Sequence, residues 1–308
     1  MRLRPTVTVL VPRLSTPARR SSLKRKQAWA GFLFAVPSLA LFAAFAIYPM
    51  LRTLYLSFFE YNMLAPPRYL GLGNYTWLLN DPTFWQSIRA TVFYIVATYV
   101  PTIILALGLA LLLNQRMRWR GGLRTLYFTP VVLSMVVVAV IWREIYFYQG
   151  PLNGLLDLVG LGPIPWLTSS TWAPIALALM SIWKNTGYFM VLYLAGLQGI
   201  PPEYEEAARV DGANRWQQLR YITLPLLMPS TVFVVTMALL FGLQEFAAPY
   251  VLTGGGPAGA TTLLSLFTYQ TAFSFMEMGR AAAISMMFFA ALVVLTLAQR
   301  RRLTFIQE

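Results

Sequence analysis

The chain has 308 residues, of which 57% are hydrophobic and 11% charged, against about 25% charged in an ordinary soluble domain. It contains no Cys and no His, which excludes disulfides, thiolate or imidazole metal sites and the commonest nucleophiles and general bases. The net charge of +13, from 24 basic and 11 acidic residues, suits nucleic acid or membrane partners, and the placement of the charges decides between them.

In chain order, six charge-poor stretches are long enough to cross a bilayer, which takes about 20 apolar residues as a helix. They lie between Lys26 and Arg52, Arg89 and Arg116, Arg124 and Arg143, from Trp172 to Gln198 with Lys184 inside, between Arg220 and Glu245, and between Arg280 and Arg300. Their number and length argue against core helices of a large soluble protein. The first stretch also admits a signal-peptide reading with Ala44 to Ala46 as a small-residue site, but it runs past Pro49 and spans without cleavage. Two further charge-poor segments, Leu158–Thr171 and Phe246–Met276, are interrupted by Gly160, Gly162, Pro163 and Pro165 and by Gly254, Gly255, Gly256 and Pro257. They read as outer loops dipping partly into a helical bundle, because turns leave backbone groups unpaired in lipid.

Basic residues are retained on the cytoplasmic side. Arg2, Arg4, Arg13, Arg19, Arg20, Lys24, Arg25 and Lys26 precede the first stretch, and Arg116, Arg118, Arg120 and Arg124 separate the second from the third. Arg209, Arg215 and Arg220 follow the fourth, and Arg300, Arg301 and Arg302 the last. One side thus holds most of the basic charge if there are six spans. The expectation is an all-α polytopic membrane protein with six transmembrane helices and both termini cytoplasmic. Its parts are a basic segment at 1–27, a transmembrane domain at 28–302 and a tail at 303–308. The N-terminal charge then anchors topology on anionic lipid, with no nucleic acid partner.

The one long inner loop, 199–220, holds Glu203, Glu205, Glu206 and Asp211, four of the eleven acids. Pro201 and Pro202 open a helix whose first turn favours the glutamates, and Asp211-Gly212 ends it with a left-handed residue. A second short helix over Ala213–Leu219 follows. The expected object is a helix-turn-helix in which Ala207 and Ala208 leave a smooth patch for another protein; the plain alternative is a solvated connector.

Glu206-Ala207-Ala208, three residues, Gly212, nine residues, Ile222, one residue and Leu224-Pro225 resembles the cytoplasmic Glu-Ala-Ala signature of permease subunits of ATP-binding-cassette importers. The resemblance runs from about Ala28 to Arg302 and is nearest the carbohydrate-uptake branch, including maltose-type and glycerol-3-phosphate-type permeases. It is carried by Gly71-Leu72-Gly73-Asn74-Tyr75, Asp81-Pro82, Phe128-Thr129-Pro130, Ile141-Trp142-Arg143, Pro165-Trp166-Leu167-Thr168, Leu194 to Pro201, Leu252 to Pro257 and Ala281 to Ser285. It implies the type I importer permease fold in a bacterial or archaeal cytoplasmic membrane. It also implies a second similar permease, a cytoplasmic ATPase dimer, an extracytoplasmic solute-binding protein and a carbohydrate substrate. The chain has no G-x-x-x-x-G-K-[ST] loop, so ATP and Mg fall to the ATPase, and the chain is a transport subunit, not an enzyme. The coupling role falls on Glu206, Ala207, Ala208, Asp211 and Gly212.

Polar residues inside a membrane bundle are expensive and point to function. Lys184 and Asn185 stand out; Lys184 either contacts a ligand or pairs with Glu245. The resemblance to the maltose-type permease places solute contacts at Lys184, Asn185 and Tyr188 in the fourth span, Phe241, Gly242 and Glu245 in the fifth, and Val131 and Met135 in the third. Gly242, Glu245, Met135 and Val131 depart from the maltose-type residues, so maltose need not be the ligand. Tyr188 offers either a face for a sugar ring or ordinary packing. Gly254, Gly255, Gly256 and Pro257 either contact the binding protein or turn the chain. Asn74-Tyr75-Thr76 matches a glycosylation sequon without meaning in a bacterial-type importer. A glycerol-3-phosphate or polyol cargo is an alternative to a di- or oligosaccharide, since Lys184 suits an anion. An ion-coupled secondary transporter would need acid or His relays, of which only Glu245 is available. A membrane-embedded enzyme would need paired acids or a nucleophile with its base within the spans.

Overall fold

Hydropathy sets the long elements. In the computed structural model of the chain the backbone is described for residues 18–115 and 117–307, and side-chain surroundings for residues 27–115 and 117–294. Arg2, Arg4, Arg13 and Arg116 lie outside the described residues, as do the side chains of Arg19, Arg20, Lys24, Arg25, Lys26 and Arg300 to Arg302 and of the tail from 303. The chain divides into two units, 1–55 and 56–308. The first holds α1 (Ala18–Phe42), one π-helical turn (Ala43–Ile47) and nearly all of α2 (Tyr48–Leu56). From Gln27 to Leu56 these form a 30-residue apolar helix. Pro37 lies inside α1, a position tolerated where lipid leaves the backbone no alternative to helix.

The second unit begins with a two-residue antiparallel ribbon, β1 (Phe59–Glu60) on β2 (Arg68–Tyr69), pairing Phe59 with Tyr69 and Glu60 with Arg68. This ribbon departs from the purely helical expectation. The short helix α3 (Gly73–Asn80) is fixed to it by Asn74, whose buried amide donates to the Ser57 and Phe59 carbonyls, both at 2.9 Å. The sequon asparagine is thus a buried strut.

The helix α4 (Pro82–Asn114) starts where the sequence signals it: Asp81 accepts from the Thr83 N–H and Pro82 occupies the first turn. At 33 residues it is roughly 50 Å long. It packs along α8 (Trp172–Gln198), and Tyr94, Tyr99, Ala106, Leu177, Phe189 and Tyr193 form the centre of the core.

The expected third span is not one rod. Between α5 (Arg120–Val132) and α6 (Met135–Ile145) the chain bends by 97°. Pro130 lies in the last turn of α5, and Leu133 and Ser134 are extended, so a missing N–H and two non-helical residues end the helix. The amphipathic helix α7 (Pro151–Leu158) follows. Asn153, the buried residue of this helix, donates to the Tyr148 and Ile164 carbonyls and accepts from the Ile164 N–H and the Trp166 indole, all at 2.9–3.0 Å.

Beyond α8 come α9 (Pro202–Val210), α10 (Arg215–Gln218), a π-helical turn (Leu219–Thr223) and α11 (Leu224–Leu226). A 65° bend then leads into α12 (Met228–Gln244), so the expected fifth span is broken as well. The segment after it folds into α13 (Ala247–Leu252), against α6 and α8, and α14 (Leu264–Tyr269), against α4. Ala248, Leu252, Leu263, Leu266 and Phe267 there are buried. The last helix, α15 (Met278–Gln307), starts against the ribbon, where Gly279 donates to the Tyr61 carbonyl at 3.1 Å.

By length and composition, three helices qualify as spans: Gln27–Leu56, Pro82–Asn114 and Trp172–Gln198. The two broken pairs raise the number to five, and the last expected stretch falls in α15, apolar over Met278–Val294.

Candidate functional site

A break inside a bundle leaves the last carbonyls of a helix without intrahelical partners, and no water is there to take them. At the α5 break this need is met by Lys184, which is 9% exposed. Its Nζ donates to the carbonyls of Leu133 at 2.8 Å, Pro130 at 3.2 Å and Val131 at 3.3 Å. An ammonium has three protons and here finds three acceptors, at the helix end where the dipole favours a cation. The pairing with Glu245 does not form: the ion pairs among the described residues are Arg68–Glu60, Arg143–Glu144, Arg209–Glu205 and Arg280–Glu277.

Glu245 serves a different helix end, the start of α13. It stands between α12 and α13, its carboxylate accepts from the Ala248 N–H at 2.9 Å, and its backbone carbonyl accepts from the Ser265 hydroxyl. Both ionisable residues of the expected path therefore cap helix ends.

The other path residues divide into two groups. Tyr188 and Phe241 meet, with ring centroids 5.3 Å apart and planes at 35°, and both also touch Phe189. Their rings are half-buried, as are Val131 and Met135 at the break. Asn185 donates to the Ser181 carbonyl of its own helix at 2.9 Å. Gly242 is buried, and a Cβ there would lie 2.7 Å from Ile95 and 2.9 Å from Tyr99, so it permits α12 to approach α4. Gly187 is not marked by the sequence; a Cβ there would fall 2.0 Å from the Tyr127 carbonyl oxygen, and only a glycine lets α5 lie this close to α8. Ser181, which accepts from the Tyr94 hydroxyl at 3.0 Å in the core, is likewise unmarked. A small residue facing a distant helix leaves no local signal.

The loop after α8 has the expected two-helix form. Gly212 has φ +81° and donates to the Arg209 carbonyl at 3.1 Å, while Ala213 donates to the Ala208 carbonyl at 2.9 Å, the paired bonds of a left-handed helix end. Asn214 and Gln217 then cap α10 reciprocally, a capping box unread in the sequence. Glu206, Ala207, Asp211 and Gly212 are exposed, but Ala208, 6% exposed, faces inward and adds nothing to an outer patch. Beneath the loop lies a cleft of about 730 Å³ of mixed lining, with Glu205, Arg209, Arg215 and Gln218 on one part and Leu111, Leu197 and Leu219 on another.

In the Gly254 to Pro257 segment Gly254 and Gly255 have φ +63° and +93°, and Gly256-Pro257 is a cis peptide. Gly255 is buried, with its carbonyl bonded to the Thr262 hydroxyl at 3.0 Å, so only Gly254, Gly256 and Pro257 retain exposed surface. Among the described residues no group of three or more Asp and Glu is placed to hold a metal.

The family model described as "Binding-protein-dependent transport system inner membrane component" matches residues 80–301. The lactose transport system permease protein LacF of Rhizobium radiobacter is 37% identical over 286 residues, covering 91% of this chain and 96% of its own. The trehalose/maltose transport system permease protein MalF of Thermococcus litoralis is 34% identical over 279 residues, covering 90% and 94%. A solved bacterial ABC transporter involved in the import of the acidic polysaccharide alginate superposes with a TM-score of 0.81 at 24% identity, over 94% of this chain and 100% of that one. At that identity it speaks for the fold.

Proposed function

Since the chain belongs to the family of binding-protein-dependent transport system inner membrane components, as a multi-pass inner-membrane permease of an ABC importer and not an enzyme, we propose that it carries a di- or oligosaccharide inward by alternating access. In this reading both broken pairs and α15 count as spans, which makes six with both termini cytoplasmic. A second permease faces this one, an ATPase dimer binds below and a solute-binding protein above, with Gly254, Gly256 and Pro257 as its contact candidates.

The observation that carries the reading is the α9 loop. A helix closed by a left-handed glycine cap presents Glu206, Ala207, Asp211 and Gly212 outward at the end of α8, a rigid projection suited to a cleft in the ATPase. ATPase closure biases the outward-facing state through this projection, and hydrolysis releases it. Tyr188 and Phe241 supply the aromatic surface for a sugar ring, with Val131 and Met135 beside them at the break. Lys184, its three protons taken by carbonyls, is withdrawn from the cation role that a glycerol phosphate would need, which favours the neutral sugar. Lactose and trehalose/maltose in the names of the relatives point the same way.

The test is reconstitution with the neighbouring permease, ATPase and binding protein, measuring ATP hydrolysis and uptake over a panel of sugars and glycerol 3-phosphate. Proline cannot adopt the φ of +81° at position 212, so Gly212→Pro is expected to abolish solute-stimulated hydrolysis while the complex still assembles. Uptake by the isolated chain on a sodium or proton gradient, indifferent to that substitution, would sink the reading.

A further inference from the structure

Two arginines one turn apart on α5 lean toward the end of α8. Oriented with its carbonyl toward them, the Gln198 side chain accepts from Arg120 Nη2 at 2.9 Å and Arg124 Nη2 at 3.0 Å; the reverse orientation sets amide N–H groups against guanidinium N–H groups. Neither guanidinium forms an ion pair with a carboxylate among the described residues, and each Nε is buried without an acceptor. Like charges at i and i+4 repel, so a shared neutral acceptor is what holds this pair together. Gln198 is the last residue of α8, and α9 begins at Pro202.

The other end of α5 is tied to the middle of α8. Lys184 of α8 holds the carbonyls of Pro130, Val131 and Leu133 at the end of α5. From Lys184 to Gln198 is roughly 21 Å of helix, and from Arg120 to Leu133 roughly 20 Å, at 1.5 Å per residue. Between the ties, Gly187 brings the two backbones into contact. Two antiparallel segments of matched length, α5 and the C-terminal half of α8, tied at both ends and touching between, have little freedom to slide or splay. Compliance is left at the Leu133–Ser134 break, where the chain turns by 97°.

We infer that Arg120, Arg124 and Gln198 form a positioning clasp that makes α5 and α8 one lever, carrying displacement of the α9 loop to the break beside Val131 and Met135. The inference rests on the coupling reading of that loop. Without the clasp, the loop would drag α8 alone and α5 would lag behind it.

The absence of native cysteine makes the test clean. In the full complex, Thr125→Cys with Val191→Cys places two thiols on one cavity between α5 and α8, to be joined by a short bifunctional thiol reagent. Transport is expected to survive the cross-link. Arrest by the cross-link, with each single-cysteine variant unaffected by the reagent, would show that the helices separate during the cycle and would overturn the inference. Independently, Gln198→Leu is expected to lower solute moved per ATP hydrolysed by about fivefold or more, the lower end of ordinary allosteric coupling. Gln198→Glu, which still accepts from both arginines, is expected to retain the ratio. An unchanged ratio in an assembled Gln198→Leu complex overturns the clasp, and should that variant fail to assemble, the cross-link decides alone. If Gly212→Pro also leaves coupling intact, the reading of the loop has failed; if Gly212→Pro uncouples and Gln198→Leu does not, only the clasp has.

Discussion

Replacing Lys184 with Met separates a helix-capping lysine from a ligand-binding one. Methionine is nearly as long, so little cavity opens, and the main loss is three charge-assisted hydrogen bonds at 2.8–3.3 Å. Such bonds contribute about 1.5–3 kcal/mol each in water-soluble proteins. In membranes the unfolded reference also finds partners, and values nearer about 1 kcal/mol apply. Three at that value total about 3 kcal/mol, and the helix-end charge interaction adds up to about 2 kcal/mol. Against this stands the relief from burying an ammonium, so about 3 kcal/mol is the working figure, roughly a hundredfold in the folded population. Heat-inactivation half-life of the purified complex, read beside solute-stimulated ATPase activity, measures it. Lys184→Arg is expected to fall between, since a planar fork cannot match three carbonyls around a point charge. A Lys184→Met complex as heat-stable as the parent but unable to respond to solute would refute the capping argument and return Lys184 to the ligand.

Gly187→Ala puts a methyl 2.0 Å from the Tyr127 carbonyl oxygen; the backbones must separate, and a loss of about 1–3 kcal/mol in thermal stability is expected; an unchanged stability would refute the close approach. Gly212→Ala meets no atom within 4 Å, so only its left-handed backbone opposes it. A cost of about 1–2 kcal/mol is expected in protection of the loop amides, with partial coupling where Gly212→Pro has none. Asn153→Ala strands the Ile164 N–H, the Trp166 indole N–H and the Tyr148 carbonyl, while the Ile164 carbonyl keeps the Trp166 N–H. A loss of about 2–4 kcal/mol, detected as earlier protease cleavage between α7 and α8, is expected; unchanged cleavage would mean that the segment is held by packing alone.

Much of this molecule is legible one residue at a time. Bilayer crossing is a property of length and hydropathy, so the stretch between Arg89 and Arg116, which falls within the Pro82–Asn114 helix except for its last residue, and Trp172–Gln198 could be read from spacing between charges. A left-handed cap needs a residue without a Cβ, so Asp211-Gly212 marked the end of α9 in sequence as in space. What hydropathy could not reveal is where a span breaks, because Pro130 alone permits either a kink or a stop. The break at Leu133 is sustained by an ammonium that arrives from Lys184, 51 residues along the chain. The same holds for Ala208, whose burial depends on what packs behind α9, and for Gln198, whose role exists only because two arginines of α5 reach it. Local backbone preference and transfer to lipid are decided by neighbours in sequence. The satisfaction of a buried charge or a freed carbonyl depends on distant partners, and only the packed bundle determines which partner arrives.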